Sequence, residues 1–331
     1  MGGLLYFLSI YSHNLKEMRI FITGGSGCIG HYIADLLIKN TNHELFFLVR
    51  NPSKVKFDYN YRSGINIIED NLTNILAYKD ILNTINIAIL IATCWGGEVE
   101  SYQINVEANI NLINCLNKKN CERIIYFSTA SILDQKNQLL PQAGEIGTDY
   151  IKTKYQCFTQ LEKHPLYPKI ITVYPTLVFG GDEKKPSSHL SAGLKDLPKW
   201  FNLIRWFQAD GGFHVIHGQD IATIIGYLVE NGDKLDPSFE RKLVLANSPL
   251  TVNQAIKEIG NYLNKKVYLQ IPLPIWLANV FIKVFNIQMA KWDYFCLNYR
   301  YFTYDKYVNP QSFGLDYYVP NISKLLEISG V

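Results

Sequence analysis

Tyr150 and Lys154, in DYIKTKY, are four residues apart and therefore share one face of any helix that carries them. Proton transfer to or from a carbonyl oxygen needs an acid–base group beside it. A phenol serves when a neighbouring cation brings its pKa down from about 10. The spacing alone discriminates poorly, because this Tyr- and Lys-rich chain holds a second such pair, Tyr262 and Lys266 in NYLNKK, which reads as a solvated helix end. Context separates the two. Tyr150 comes shortly after STAS (128–131), whose hydroxyls follow an apolar run and so stand at the carboxyl end of a strand.

A second group of residues could hold the partner of that proton chemistry. In TGGSGCIG the glycines are Gly24, Gly27 and Gly30, preceded by the apolar run RIFIT and followed by a helical pattern. The first glycine allows a tight strand-to-helix turn, the next lets the backbone approach a diphosphate, and the last lets helix and strand pack. The helix N-terminus adds N–H groups and a partial positive charge. The strand after this helix ends in LVRN. An acid there would accept from a ribose 2′-hydroxyl, whereas Arg50 can pair with a 2′-phosphate. NADP is thus the expected cofactor, with NAD as the alternative. Asp70 or Asn71, in EDNLTN at the end of the third run, is placed for the adenine amino group.

The elements that must position these residues can be read from periodicity. Apolar runs at 19–23, 44–49, 65–69, 87–91, 123–128 and 170–174 alternate with helical patterns such as HYIADLLIKN, where Ile29, Ile33, Leu36 and Leu37 share a face. Near-continuous apolar strands are covered on both sides, which predicts an α/β, Rossmann-type doubly wound parallel sheet. Beyond 175 the alternation loosens and aromatics crowd in, predicting a smaller C-terminal substrate lobe. The expected organisation is an extension over 1–17 that is dispensable, a cofactor domain over 18–174 and a substrate-binding lobe over 175–331, interleaved with the cofactor domain. Within the lobe, IPLPIWLANVFIKVF (271–285) reads as a core-facing helix rather than one lying on a membrane, and Trp200, Phe201, Trp206 and Phe207 read as core more than pocket.

Composition removes other classes. The chain has 331 residues, 48 % of them apolar, and a net charge of +3 from 32 basic and 29 acidic residues, so it lacks the basic field that nucleic acid requires. The N-terminal apolar run has no basic flank or small-residue cleavage site, and 271–285 is too short and polar to be an integral membrane segment. Six scattered cysteines without a C-x-x-C pair suit reduced thiols in a cytoplasmic compartment. His214 and His217 of HVIH have no third ligand nearby, so no metal site is expected.

Taken with TGGSGCIG and YIKTK, the segments LIATCWG (90–96), NVEANINLINCLNKKNCERIIYFSTAS (105–131), YPTLVFGGD (174–182), HVIHGQDIATII (214–225) and NSPLTVNQAIKEI (247–259) make the chain resemble an extended short-chain dehydrogenase/reductase, the NAD-dependent epimerase/dehydratase family. The resemblance covers about 18–270 and implies Tyr150 as general acid/base, Lys154 as its pKa-lowering partner and ribose ligand, and Thr129 as the donor to the substrate oxygen, with Ser128 or Ser131 as stand-ins. It also implies cofactor contacts from Gly24, Gly27, Cys28, Ile29, Arg50, Asp70, Asn71, Ala92, Tyr150, Lys154 and Pro175. The partner it implies is a small molecule, and a homodimer is compatible with it. Several positions depart from the family pattern. Tyr174–Pro175 stands where many sugar-nucleotide members have Arg-Pro, Phe158 stands where a Glu is usual, Asn71 stands at the usual acidic position, and Ala130–Ser131 follows Thr129 where dehydratases have Asp-Glu. These departures disfavour dehydration and a nucleotide-sugar substrate. The expected reaction is hydride transfer between nicotinamide and a hydroxyl or carbonyl carbon, the alternatives being a nucleotide-sugar epimerase and a non-catalytic NAD(P)-binding sensor or assembly protein.

Overall fold

The six apolar runs form strands β1 (Arg19–Thr23), β2 (Glu44–Val49), β3 (Ile65–Glu69), β4 (Ile87–Leu90), β5 (Arg123–Phe127) and β6 (Ile170–Pro175). The structure is a computed structural model describing residues 16–232, 241–268, 270–284, 286 and 288–331, so the extension expected over 1–17 lies outside the described residues except for its last two. Of these, Lys16 pairs with Glu122 at 2.9 Å. A seventh strand that periodicity did not flag, β7 (Lys242–Leu245), adds in parallel to β6. The spatial order is β7-β6-β5-β4-β1-β2-β3, all parallel, and the order of strand addition reverses between β1 and β4. A ligand crevice opens at such a switch point.

Alternation along each strand builds two cores. Ile20, Ile22, Phe47, Ile89, Ile125 and Val173 face one side, where they meet α1 (Cys28–Asn40) through Ile33 and Leu37, and α6 (Gly218–Asn231) through Ile221, Ile225 and Leu228. Phe21, Phe46, Leu48, Leu90 and Ile124 face the other side. There they meet Leu112 and Ile113 of α2, which runs through Glu98–Tyr102, a π turn over Gln103–Glu107, and Ala108–Cys115. Helices α3 (Pro141–Ile146) and α4 (Asp149–Leu161) lie beside it, and Cys157 and Leu161 of α4 close the same core. Helix α6 is tied to the sheet by the buried pair His43 Nε2 and Glu230, 2.8 Å apart. Both β7 and α6 lie beyond Pro175 in the chain, so the sheet layer is completed by residues that follow the first stretch of the lobe.

The lobe consists of short strand pairs, such as Phe207–Gln208 with Ile271–Pro272, and of helices α5 (Leu197–Ile204), α7 (Val252–Tyr262), α8 (Ile275–Val284), α9 (Lys291–Tyr299) and α10 (Ile322–Ile328). Asp220 on α6 is wholly buried and accepts from the Tyr318 and Val319 N–H groups at 2.7 and 3.1 Å, pinning the C-terminal segment to the sheet domain. One expectation fails here and a second holds only for Phe201. Among its described residues α8 buries none, leaving Trp276, Val280 and Val284 exposed, and α5 buries only Phe201 while Trp200 faces out. The reason is that neither helix has a second layer over its outer side.

Candidate active site

The glycine loop has the shape a diphosphate cradle needs. Gly24 has φ +75°, and a Cβ there would stand 2.6 Å from the Ala92 nitrogen; a Cβ on Gly30 would stand 2.2 Å from the Gly24 carbonyl oxygen. Each therefore has to be glycine, for turn geometry in one case and close packing in the other. A Cβ on Gly27 would meet only the Gly24 carbonyl, at 3.4 Å, so the space above it is open. Gly27 caps α1 without a side-chain acceptor, and the first turn, which holds Cys28 and Ile29, carries no acid. The orphan N–H groups and dipole of that turn are thus left for an anion.

The other expected cofactor residues ring this loop unequally. Ala92 donates to Thr23 Oγ1 at 3.3 Å and sits directly against Gly24. Arg50, at the end of β2, is 69 % exposed with only a loose approach to Glu100 at 3.9 Å, so its guanidinium is available to a ligand. Asp70 is committed locally: its carboxylate accepts from Asn71 N, Asn74 Nδ2 and the Tyr78 hydroxyl at 2.6, 2.7 and 2.8 Å, which holds its pKa below the usual carboxylate value. Asn71 caps the following turn through Thr73 N at 3.2 Å. Pro175 is buried at the end of β6. Cys28 is half-buried near Asp182, and desolvation pushes its thiol up to about 12. All six thiols are free.

Across the crevice, Thr148 caps α4 by accepting from Ile151 N, which sets Tyr150 and Lys154 on the face toward β5. The Tyr150 phenol is hydrogen-bonded to Thr129, whose Oγ1 also accepts from Ser131 N at 3.3 Å and so caps the turn after β5. The neighbouring Ser128 hydroxyl is buried with no partner among the described residues, leaving a second free donor at the same edge. Lys154 is 1 % exposed; its ammonium donates to the Phe127 carbonyl at 2.7 Å and lies 6.0 Å from the Tyr150 ring centre. Burial brings Lys154 down to about 8 and pushes Tyr150 up to about 12, the Thr129 bond pulling the latter the other way. The ammonium is held on the Phe127 backbone carbonyl, with the Tyr150 ring at the edge of its reach.

Three residues at this site were not singled out in the sequence. Trp95 stacks on Tyr150 with ring centres 4.1 Å apart and planes 17° apart, and His189 meets the Trp95 ring edge-on at 5.0 Å. Asn105 is wholly buried at the π turn of α2. Its amide accepts from Cys94 N and donates to Cys94 O, both at 2.8 Å, and it donates to Thr153 Oγ1 at 2.9 Å. One side chain thus locks the loop bearing Trp95 to the helix bearing Tyr150, and the helical distortion stands where that lock is made. The signal available was the position of Trp95 in LIATCWG, directly after β4 at the switch point. By contrast, the second spacing match lies away from the crevice: the Tyr262 hydroxyl donates to the Val331 carbonyl at 3.1 Å.

The expected histidines have other partners. His214 Nδ1 lies 2.6 Å from the Asn247 carbonyl, and its Nε2 accepts from Tyr304 N at 3.1 Å. His217 accepts from Gln219 N at 3.1 Å, and burial lowers its pKa to about 4.

The sequence profile of the NAD dependent epimerase/dehydratase family matches residues 20–240, well over half of the chain. The chain belongs to that family. No curated protein matches the sequence. Among solved structures, this epimerase/dehydratase chain is similar to a nucleoside-diphosphate-sugar epimerase from Pseudomonas aeruginosa, at TM-score 0.63 and 11 % identity over 95 % of this chain and 96 % of that one. It is similar to dTDP-glucose 4,6-dehydratase from Bacillus anthracis, solved with NAD, at TM-score 0.60 and 13 % identity over 95 % and 96 %. It is also similar to UDP-glucose 4-epimerase from Thermotoga maritima, solved with UDP-glucose, at TM-score 0.57 and 14 % identity over 94 % and 97 %. At these identities the likeness concerns the fold.

Two departures from the family pattern prove to be one contact. Phe158 and Tyr174 are both wholly buried and meet edge to face with ring centres 5.8 Å apart. The two aromatics thus pack on each other in the core that also holds Ile151 and Val244.

Proposed function

We propose that this member of the epimerase/dehydratase family is an NADP(H)-preferring oxidoreductase acting on a hydroxyl or carbonyl carbon of a small molecule. The observation that carries the reading is the Thr129–Tyr150–Lys154 set, standing across the switch-point crevice from the glycine loop. The residues present fit a dinucleotide: the open face of Gly27 and the uncapped first turn of α1 for the diphosphate, Arg50 for a 2′-phosphate, and Ala92 with the loop after β4 along its length. When bound, the nicotinamide supplies or accepts the hydride. Thr129 or the unpartnered Ser128 hydroxyl holds the reacting oxygen, and Tyr150 delivers its proton as the phenol in reduction or accepts it as the phenolate in oxidation. Lys154 keeps cationic charge beneath the phenol, anchored by Phe127.

Trp95 and His189 favour net redox chemistry over epimerisation. An epimerase must turn its oxidised intermediate over so that hydride returns to the opposite face, and an indole 4.1 Å above Tyr150 restricts that rotation. The six free thiols support a cytoplasmic location for the chain. The test is titration with NADPH and NADH followed by turnover on a panel of carbonyl compounds. Net consumption of NADPH is the expected result. Tightly retained NAD with sugar isomerisation and no net redox would replace the reading by the epimerase, and binding without turnover would replace it by a sensor.

A further inference from the structure

The C-terminal lobe carries an apolar surface that the chemistry above does not use. Helix α8 shows Trp276, Val280 and Val284, 66 %, 45 % and 70 % exposed, at i, i+4 and i+8 and hence along one line of the helix. Helix α5 shows Trp200 and Leu203, and the chain following it shows Trp206, which stacks on exposed Tyr268. These pieces adjoin. Phe207–Gln208 pairs with Ile271–Pro272 immediately before α8, and Lys265 Nζ donates to the Pro198 carbonyl of α5 at 2.8 Å. Exposed indoles and aliphatics grouped in this way mark an interaction face, whereas single exposed apolar residues do not.

The charge around the face identifies its occupant. No Asp or Glu occurs in the sequence between Glu258 and Asp293, a stretch that holds Lys265, Lys266, Lys283 and Lys291. On the α5 side, Lys195 and Arg205 are accompanied by two acids, Asp196 and Asp210, and each is already paired, with Lys199 at 2.8 Å and with Arg300 at 2.5 Å. A two-fold contact with a second copy would bring these cations against one another. An anionic bilayer surface complements them, while tryptophans and aliphatics enter the headgroup boundary and lysine stems extend along it. Helix α8 has ten residues, which is too few to span a bilayer but enough to lie in its surface.

We infer that this face of the lobe docks the protein on an anionic lipid bilayer, with α8 in the plane of the interface. The full chain is incubated with vesicles of phosphatidylcholine mixed with phosphatidylglycerol, or of phosphatidylcholine alone, and floated through a density gradient. It floats with the anionic vesicles and several-fold less at high salt. Trp276→Ser with Val280→Ser abolishes flotation, and Lys266→Gln with Lys283→Gln lowers it roughly 25-fold, at about fivefold per cation; both variants bind cofactor as the parent does. Absence of flotation with anionic vesicles, or undiminished flotation of the Trp276→Ser and Val280→Ser variant, overturns the inference. So does a parental dimer in sedimentation velocity that the same variant renders monomeric, because the face would then join two copies.

Discussion

The sheet domain and the C-terminal lobe are both rich in apolar and aromatic side chains, yet they place them in opposite ways. Around the sheet, Ile20, Phe21 and Ile22 alternate between two covered faces, and all three are wholly buried. In the lobe, α8 is almost entirely apolar and buries none of its described residues. The difference teaches that an apolar segment is core only if the topology supplies a layer on its far side. Right-handed crossovers guarantee that layer for parallel strands, and nothing guarantees it for a peripheral helix. The residues proposed for catalysis belong to the first regime: Lys154 and Thr129 are 1 % and 8 % exposed and held by specific bonds.

The largest effect should come from that ordered edge. Tyr150→Phe should lower turnover by roughly 10²–10⁴-fold, followed as NADPH consumption, while cofactor affinity from fluorescence titration stays unchanged; retained turnover would remove Tyr150 from the proton path. Stability should then separate the two regions. Ile125→Ala, in a fully covered strand, should cost about 2–5 kcal/mol in urea unfolding, whereas Trp276→Ser on α8 should change it by no more than about 0.5 kcal/mol. Equal costs at the two sites would mean that α8 is covered after all.

Between these extremes lies Asn105, whose replacement by Ala leaves half-buried Cys94 backbone groups and the Thr153 hydroxyl without their Asn105 partner and should cost about 2 kcal/mol. Because it frees the Trp95 loop from α4, it should also lower kcat/KM, measured on the same substrate as the Tyr150 variant. Lys154 adds a pH signature. Its folded pKa of about 8 lies below the 10.5 of an ordinary lysine, so the unfolded chain binds more protons between the two values. Its contribution to stability is therefore complete above about 10.5 and lost as pH falls through about 8, and thermal unfolding of Lys154→Met compared with the parent across that window should show the slope removed. The smallest change is expected at the exposed rim, where Arg50→Gln should weaken NADPH about tenfold, roughly 1.4 kcal/mol, and leave NADH nearly as before.

Much of the site was legible because its signals are local. A strand, a turn and a helix are consecutive in TGGSGCIG, so the roles of Gly24, Gly27 and Gly30 follow from backbone sterics that the chain carries within a few residues. Tyr150 and Lys154 share a helix face by spacing alone, and hydroxyls after an apolar run fall at a strand's carboxyl end wherever that strand lies. What was missed depends on distant partners. β7 was overlooked because a four-residue run becomes a strand only when β6 offers an edge to it. Phe158 and Tyr174 read as two separate departures because nothing in their spacing says that they touch.

By itself the sequence determined the alternation of elements, the glycine turn between β1 and α1 and the shared helix face of Tyr150 and Lys154, since each is set by periodicity or sterics over short stretches. Tertiary structure alone decided that Trp95 stacks on Tyr150, that Asn105 locks their two elements together, that burial pushes Tyr150 up and Lys154 down, and that α8 faces outward. Desolvation and coverage are properties of what surrounds a residue, and the surroundings here are assembled from segments far apart in the chain.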